Sequence, residues 1–121
     1  MFILRKILNG RINVSEPLHL KQPSDVTLAE GTAVHHDSTG KLIAATGENA
    51  AEYVVAQSVT GATTVPVILI TPDMIFETEA VTGASVGKKY QLSGGTTFTT
   101  TAGTAVTVID QGERHALVRL A

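Results

Sequence analysis

From Asp25 onward, short stretches rich in Val, Ile and Thr are broken at close intervals by Gly, Asp, Asn and Ser. Breaks this frequent deny a long helix its register, whereas β-branched residues between turn formers suit short strands. The pattern predicts strands over Thr32–His36, Lys41–Ala45, Glu52–Ser58, Thr64–Ile70, Met74–Glu79, Lys88–Leu92, Thr96–Thr101, Ala105–Ile109 and Arg114–Leu120. Asp37-Ser-Thr-Gly40 is a hairpin signal, because Asp bonds forward to the backbone and Gly tolerates positive φ. Gly94-Gly95 and Ala102-Gly103 punctuate the C-terminal meander in the same way. Asn49-Ala-Ala-Glu52 suits a helical turn or two within Glu48–Val55, but Val54-Val55 favours strand. No βαβ alternation occurs. The expectation is an all-β domain, a compact antiparallel β-barrel or β-tulip-like body.

Residues 1–24 differ in texture. Pro17 and Pro23 fix φ and remove donors, so the stretch should be extended and irregular, an N-terminal arm ahead of a β-rich domain over residues 25–121. Yet Phe2, Ile3, Leu4, Ile7, Leu8, Ile12 and Val14 are too apolar for a free tail. They need cover, either from the body or from another subunit. A short amphipathic helix over residues 2–12 is the competing local reading.

The chain of 121 residues is one domain's worth and long enough to bury a core without staples. It contains no cysteine, which excludes disulfides and thiolate metal sites. Charged residues are 17% of the chain, below the roughly 25% of an average domain, so surplus apolar surface is expected to meet a partner. Residues 1–22 carry Arg5, Lys6, Arg11 and Lys21 against Glu16, a charge of +3, while the remainder carries −5. A basic arm thus precedes an acidic body. Four dispersed cations without interleaved aromatics are a poor nucleic-acid footprint, and an acidic protein groove suits them as well. Arg5 and Lys6 interrupt the apolar start, so it does not read as a secretion signal. No apolar stretch is long enough for a membrane helix.

The motifs that resemble catalytic or metal sites each fail on geometry. Consecutive His35 and His36 in a strand face opposite sides, so they do not converge on one metal, and Asp37 belongs to the turn. Gly83-Ala-Ser-Val-Gly87 matches G-x-S-x-G, but a strand rather than a helix follows it, so Ser85 lacks the context of a nucleophile elbow. Glu77 and Glu79 share a strand face near Asp73; with few aromatics to line a sugar cleft, a solvated face is the better reading of these carboxylates. Gly94-Gly95-Thr96-Thr97 lacks the lysine of a phosphate loop, and Asn13-Val-Ser15 is a glycosylation acceptor only in a secreted chain. The expectation is a binding protein with no catalytic residues, cofactor or metal.

The order of the body resembles that of bacteriophage head decoration (cement) proteins. The resemblance lies in Asp25-Val-Thr-Leu-Ala-Glu-Gly-Thr-Ala-Val34 followed by Asp37-Ser-Thr-Gly-Lys-Leu42. It continues in Val65-Pro-Val-Ile-Leu-Ile-Thr-Pro-Asp-Met-Ile-Phe-Glu77, Val86-Gly-Lys-Lys-Tyr-Gln-Leu92 and the closing Gly112-Glu-Arg-His-Ala-Leu-Val-Arg-Leu120. Met1–Leu8 depart from it, being more apolar than a flexible arm. The resemblance implies a structural protein on the outer face of an assembled viral head, made in the host cytoplasm. It implies self-association, three-fold favoured, and the major capsid protein as partner, with neither nucleic acid nor membrane. The arm residues Phe2, Ile3, Leu4, Arg5, Lys6, Ile7, Leu8 and Arg11 are the candidate capsid anchor. The alternatives are another phage part, a head-fibre base or tail component, and a small-ligand-binding barrel or hydrolase accessory domain. A pocket gathering His35, Asp73 or Glu77 would favour the last.

Overall fold

The computed structural model describes residues 1–8, 18–21 and 27–120. Among these the strands are β1 (Ile3–Ile7), β2 (Leu18–Lys21), β3 (Thr27–Leu28), β4 (Ala33–His36), β5 (Leu42–Ala44), β6 (Tyr53–Val55), β7 (Val59–Thr60), β8 (Thr64–Leu69), β9 (Met74–Glu79), β10 (Lys89–Ser93), β11 (Thr97–Ala102), β12 (Val106–Gln111) and β13 (His115–Arg119). The first sheet runs β1-β9-β13-β12-β10-β11, the second β2-β8-β6-β4-β5, and a two-stranded ribbon pairs β3 with β7. Every pairing is antiparallel. The fold is therefore all-β, as its turn-rich sequence requires. No closed barrel is found among the described residues: both larger sheets are open, with β1 and β11 as the edges of one and β2 and β5 as the edges of the other.

Burial shows why the sheets stack. Side chains alternate across a strand, so two successive buried residues mean cover on both faces. Ala33 and Val34 in β4, and Val54 and Val55 in β6, are all buried. One set, with Ala33 and Val54, packs on Phe76, Leu92, Phe98 and Val118 of the first sheet. The other, Val34, Leu42, Val55, Val65 and Val67, packs beneath Leu28 of β3 and partly buried Val59 of β7. The second sheet is thus the middle layer, with the first sheet on one face and the ribbon on the other. The small aromatic content concentrates in the larger core, where Tyr90 and Phe98 stack with centroids 5.9 Å apart.

The turns follow their residues. In the β4–β5 hairpin, Asp37 Oδ1 accepts bonds from the Thr39 N–H (2.8 Å), the Thr39 hydroxyl (2.7 Å) and the Lys41 N–H (3.0 Å), and Gly40 takes φ +79°. The Thr39 hydroxyl, then the Lys41 N–H, hold the Asp37 carboxyl below its ordinary range. Glu48–Val55 is not helical: Tyr53–Val55 forms β6. Pro66 sits inside β8 where β6 has run out, and its carbonyl accepts from the Ala56 N–H at 2.8 Å.

Candidate interaction face

The N-terminal residues fold onto the body rather than away from it. β1 pairs with β9, Ile3 opposite Glu77 and Ile7 opposite Met74, with a bulge between Leu4 and Lys6. The competing helix over residues 2–12 is not formed across Ile3–Ile7. Phe2, just ahead of β1, is 2% exposed and lies in the larger core. Its N–H donates to Gly31 O at 2.7 Å. Leu4 and Ile7 are partly buried against the same core, whereas Ile3, Arg5, Lys6 and Leu8 are exposed. Arg11 lies outside the described residues. β2 joins the other sheet, Leu18 opposite Val67 and Lys21 opposite Thr64.

The carboxylates of β9 act in this attachment. Arg5 donates to Glu77 Oε2 at 3.0 Å, and the Met1 amino group lies 3.1 Å from Glu79 Oε2 while also donating to Thr96 O. Partial burial raises the Glu79 carboxyl, but hydrogen bonds from its own N–H, the Met1 amino group and the Thr78 hydroxyl outweigh it and leave the group below its ordinary range. Glu77 and Glu79 thus hold β1 by charge, a role their shared strand face made possible and which sequence spacing alone did not reveal.

Topology then brings the end of β1 and the start of β2 to the same turn. β8 and β9 are joined by the short turn 70–73 and belong to different sheets. β1 lies outboard of β9 and β2 outboard of β8; the Leu8 N–H donates to Asp73 O in that turn and Leu18 pairs with Val67 shortly before it, so the end of β1 and the start of β2 meet the same turn. Five of the six large apolar side chains exposed among the described residues lie on or beside β1, β2 and β8: Met1, Ile3, Leu8, Leu18 and Leu69. Lys6 and Lys21 are exposed on β1 and β2. Between the sheets is a cavity of about 240 Å³, lined chiefly by Phe2, Ile3 and Leu4 on one wall and Val54, Ile68 and Phe76 on the others, with Glu30 contributing charge. It gathers none of His35, Asp73 or Glu77.

The other candidate motifs lie apart. His36 Nδ1 is 3.2 Å from Glu52 Oε2, the His36 N–H donates to Glu52 Oε1, and the ring meets Tyr53 edge-on at 5.4 Å. The backbone N–H of His36 is the main reason the Glu52 carboxyl sits below its ordinary range. Among the described residues no group of three or more metal-ligating side chains gathers. Ser85 lies in the turn between β9 and β10; its N–H donates to the Tyr90 hydroxyl at 2.8 Å, Gly83 and Gly87 take φ +90° and +84°, and strand β10 follows. Asp73 accepts from the Thr71 hydroxyl within the β8–β9 turn. Compared with protein families, curated proteins and solved structures, the chain matches none.

Proposed function

We propose that this protein is a viral head decoration protein, a structural part that binds the outside of an assembled capsid and stabilises contacts between major capsid proteins. The observation that carries the reading is the pair of N-terminal edge strands, β1 and β2. It combines two open strand edges, most of the exposed large apolar side chains and the exposed cations Lys6 and Lys21, all on a body whose remaining charge is negative. Open edges can add a strand of a partner through main-chain hydrogen bonds, and neighbouring apolar side chains supply affinity. An acidic rim on the shell would complement the lysines and orient the approach. Many copies on one shell turn modest individual contacts into retention.

The buried position of Phe2 refines the anchor. Phe2 belongs to the core and Leu4 and Ile7 to its margin, so docking falls to Ile3, Lys6, Leu8, Leu18 and Lys21. The test is to mix the purified protein with capsids that lack it and image them. Saturable, symmetric density with β1 and β2 towards the shell, and shells that withstand more heat, are expected. Shells that stay bare and no more stable would contradict the proposal, and binding confined to tails or fibres would favour another phage part.

A further inference from the structure

The sequence marks Thr96–Thr101 as a strand that would be hazardous if left unpaired, being β-prone and uncharged. The structure leaves it on an edge. β11 pairs with β10 on one side and ends the six-stranded sheet on the other. The four edges of the two large sheets are not protected alike. β1 carries Arg5 and Lys6 and a bulge, β2 carries His19 and Lys21 over four residues, and β5 is three residues long beside Lys41. β11 is six residues long, Thr-Phe-Thr-Thr-Thr-Ala, and no charge or proline occurs between Lys89 and Asp110. Charges and proline are the usual means of refusing a partner strand, and β11 has neither.

We propose that β11 pairs antiparallel with β11 of a second copy about a twofold axis. Three features favour a copy of this chain over a different partner. An isologous contact must be self-complementary, and an uncharged strand meets its own image without like-charge repulsion. Threonines on both strands face one another across such an axis, a pairing that antiparallel sheets favour. β11 is also a different edge from β1 and β2, so pairing along Thr97–Ala102 takes up neither docking strand, and the N-terminus meets only Thr96 ahead of it, through the Met1 amino group. The register slip after Phe98 puts two extra residues into β11 relative to β10. That bulge shortens the ladder available to a partner and makes the association weak, in the micromolar range.

The test is sedimentation equilibrium of the full chain up to several hundred micromolar, with Thr101→Lys as the variant. Thr101 is exposed, so the variant is expected to melt like the parent. Lysines brought together across the twofold axis should weaken the dimer about tenfold or more. A monomer at every concentration overturns the proposal, as does any oligomer, three-fold included, that Thr101→Lys leaves intact. Because the chain has no cysteine, Thr101→Cys gives an independent readout should Thr101→Lys fail to fold. Oxidation should yield a covalent dimer faster than it does for Ser38→Cys in the exposed β4–β5 turn. Equal rates would overturn the pairing.

Discussion

Gly95 and Gly40 show how one residue type serves two ends. Both take positive φ, +76° and +79°. A Cβ at Gly40 would meet nothing within 4 Å, whereas one at Gly95 would lie 2.5 Å from Ala33 O and 2.8 Å from Thr32 Cγ2. The reason is a close approach of backbones, for the Ala33 N–H donates to Gly95 O at 2.7 Å and ties the two large sheets together. Gly40→Ala should cost ~1–2 kcal/mol from the left-handed backbone alone. Gly95→Ala adds a clash with main chain that cannot move freely, and should cost ~3 kcal/mol or more. Urea unfolding of the two variants measures this; equal losses would mean that the sheets separate easily at this point. In the sequence both glycines read simply as turn residues. The approach at Gly95 involves a strand some sixty positions away, which local pattern does not encode.

At the level of elements, most strands between Ala33 and Arg119 were readable because their β-branched runs lie between turn formers and several in the first sheet alternate cleanly. The expected Met74–Glu79 coincides with β9. The strands that escaped, β1, β2, β3 and β7, have physical excuses. β3 and β7 are two residues each, and β2 is four. In β1 the bulge between Leu4 and Lys6 disrupts the alternation that identifies a strand. Its apolar content was legible and its cover was not, since cover by the body and by another subunit look the same in sequence. The burial of Phe2 bears on any truncation: removing the N-terminal residues would open the core as well as remove a docking strand. Phe2→Ala should lower stability by ~3–5 kcal/mol, the usual loss for an aromatic deleted from a packed core. A loss under about 1 kcal/mol in chemical denaturation would show that β1 adds little to the body.

At the scale of the whole molecule, the layers explain a composition that is apolar yet poor in aromatics. A middle sheet covered on both faces needs small and β-branched side chains, and Ala33, Val34, Val54, Val55, Val65 and Val67 supply them. Stacking of this kind leaves open edges that a closed barrel would abolish. Two of those edges end the first sheet, β1 proposed to meet the shell and β11 a second copy. The all-β class was legible from turn spacing. The open, layered arrangement was not, because barrel and stacked sheets share the same local grammar of short strands and tight turns.

The account rests most on β1 and β2 as the strands that meet the capsid. Leu8→Glu combined with Leu18→Glu removes two exposed apolar contacts on or beside them, whereas Val86→Glu alters the exposed turn between β9 and β10. Occupancy on shells lacking the protein is the measurement, with melting temperature confirming that each variant is folded. The double variant should bind about tenfold or more weakly while Val86→Glu binds like the parent. Full occupancy by the folded double variant would contradict the account.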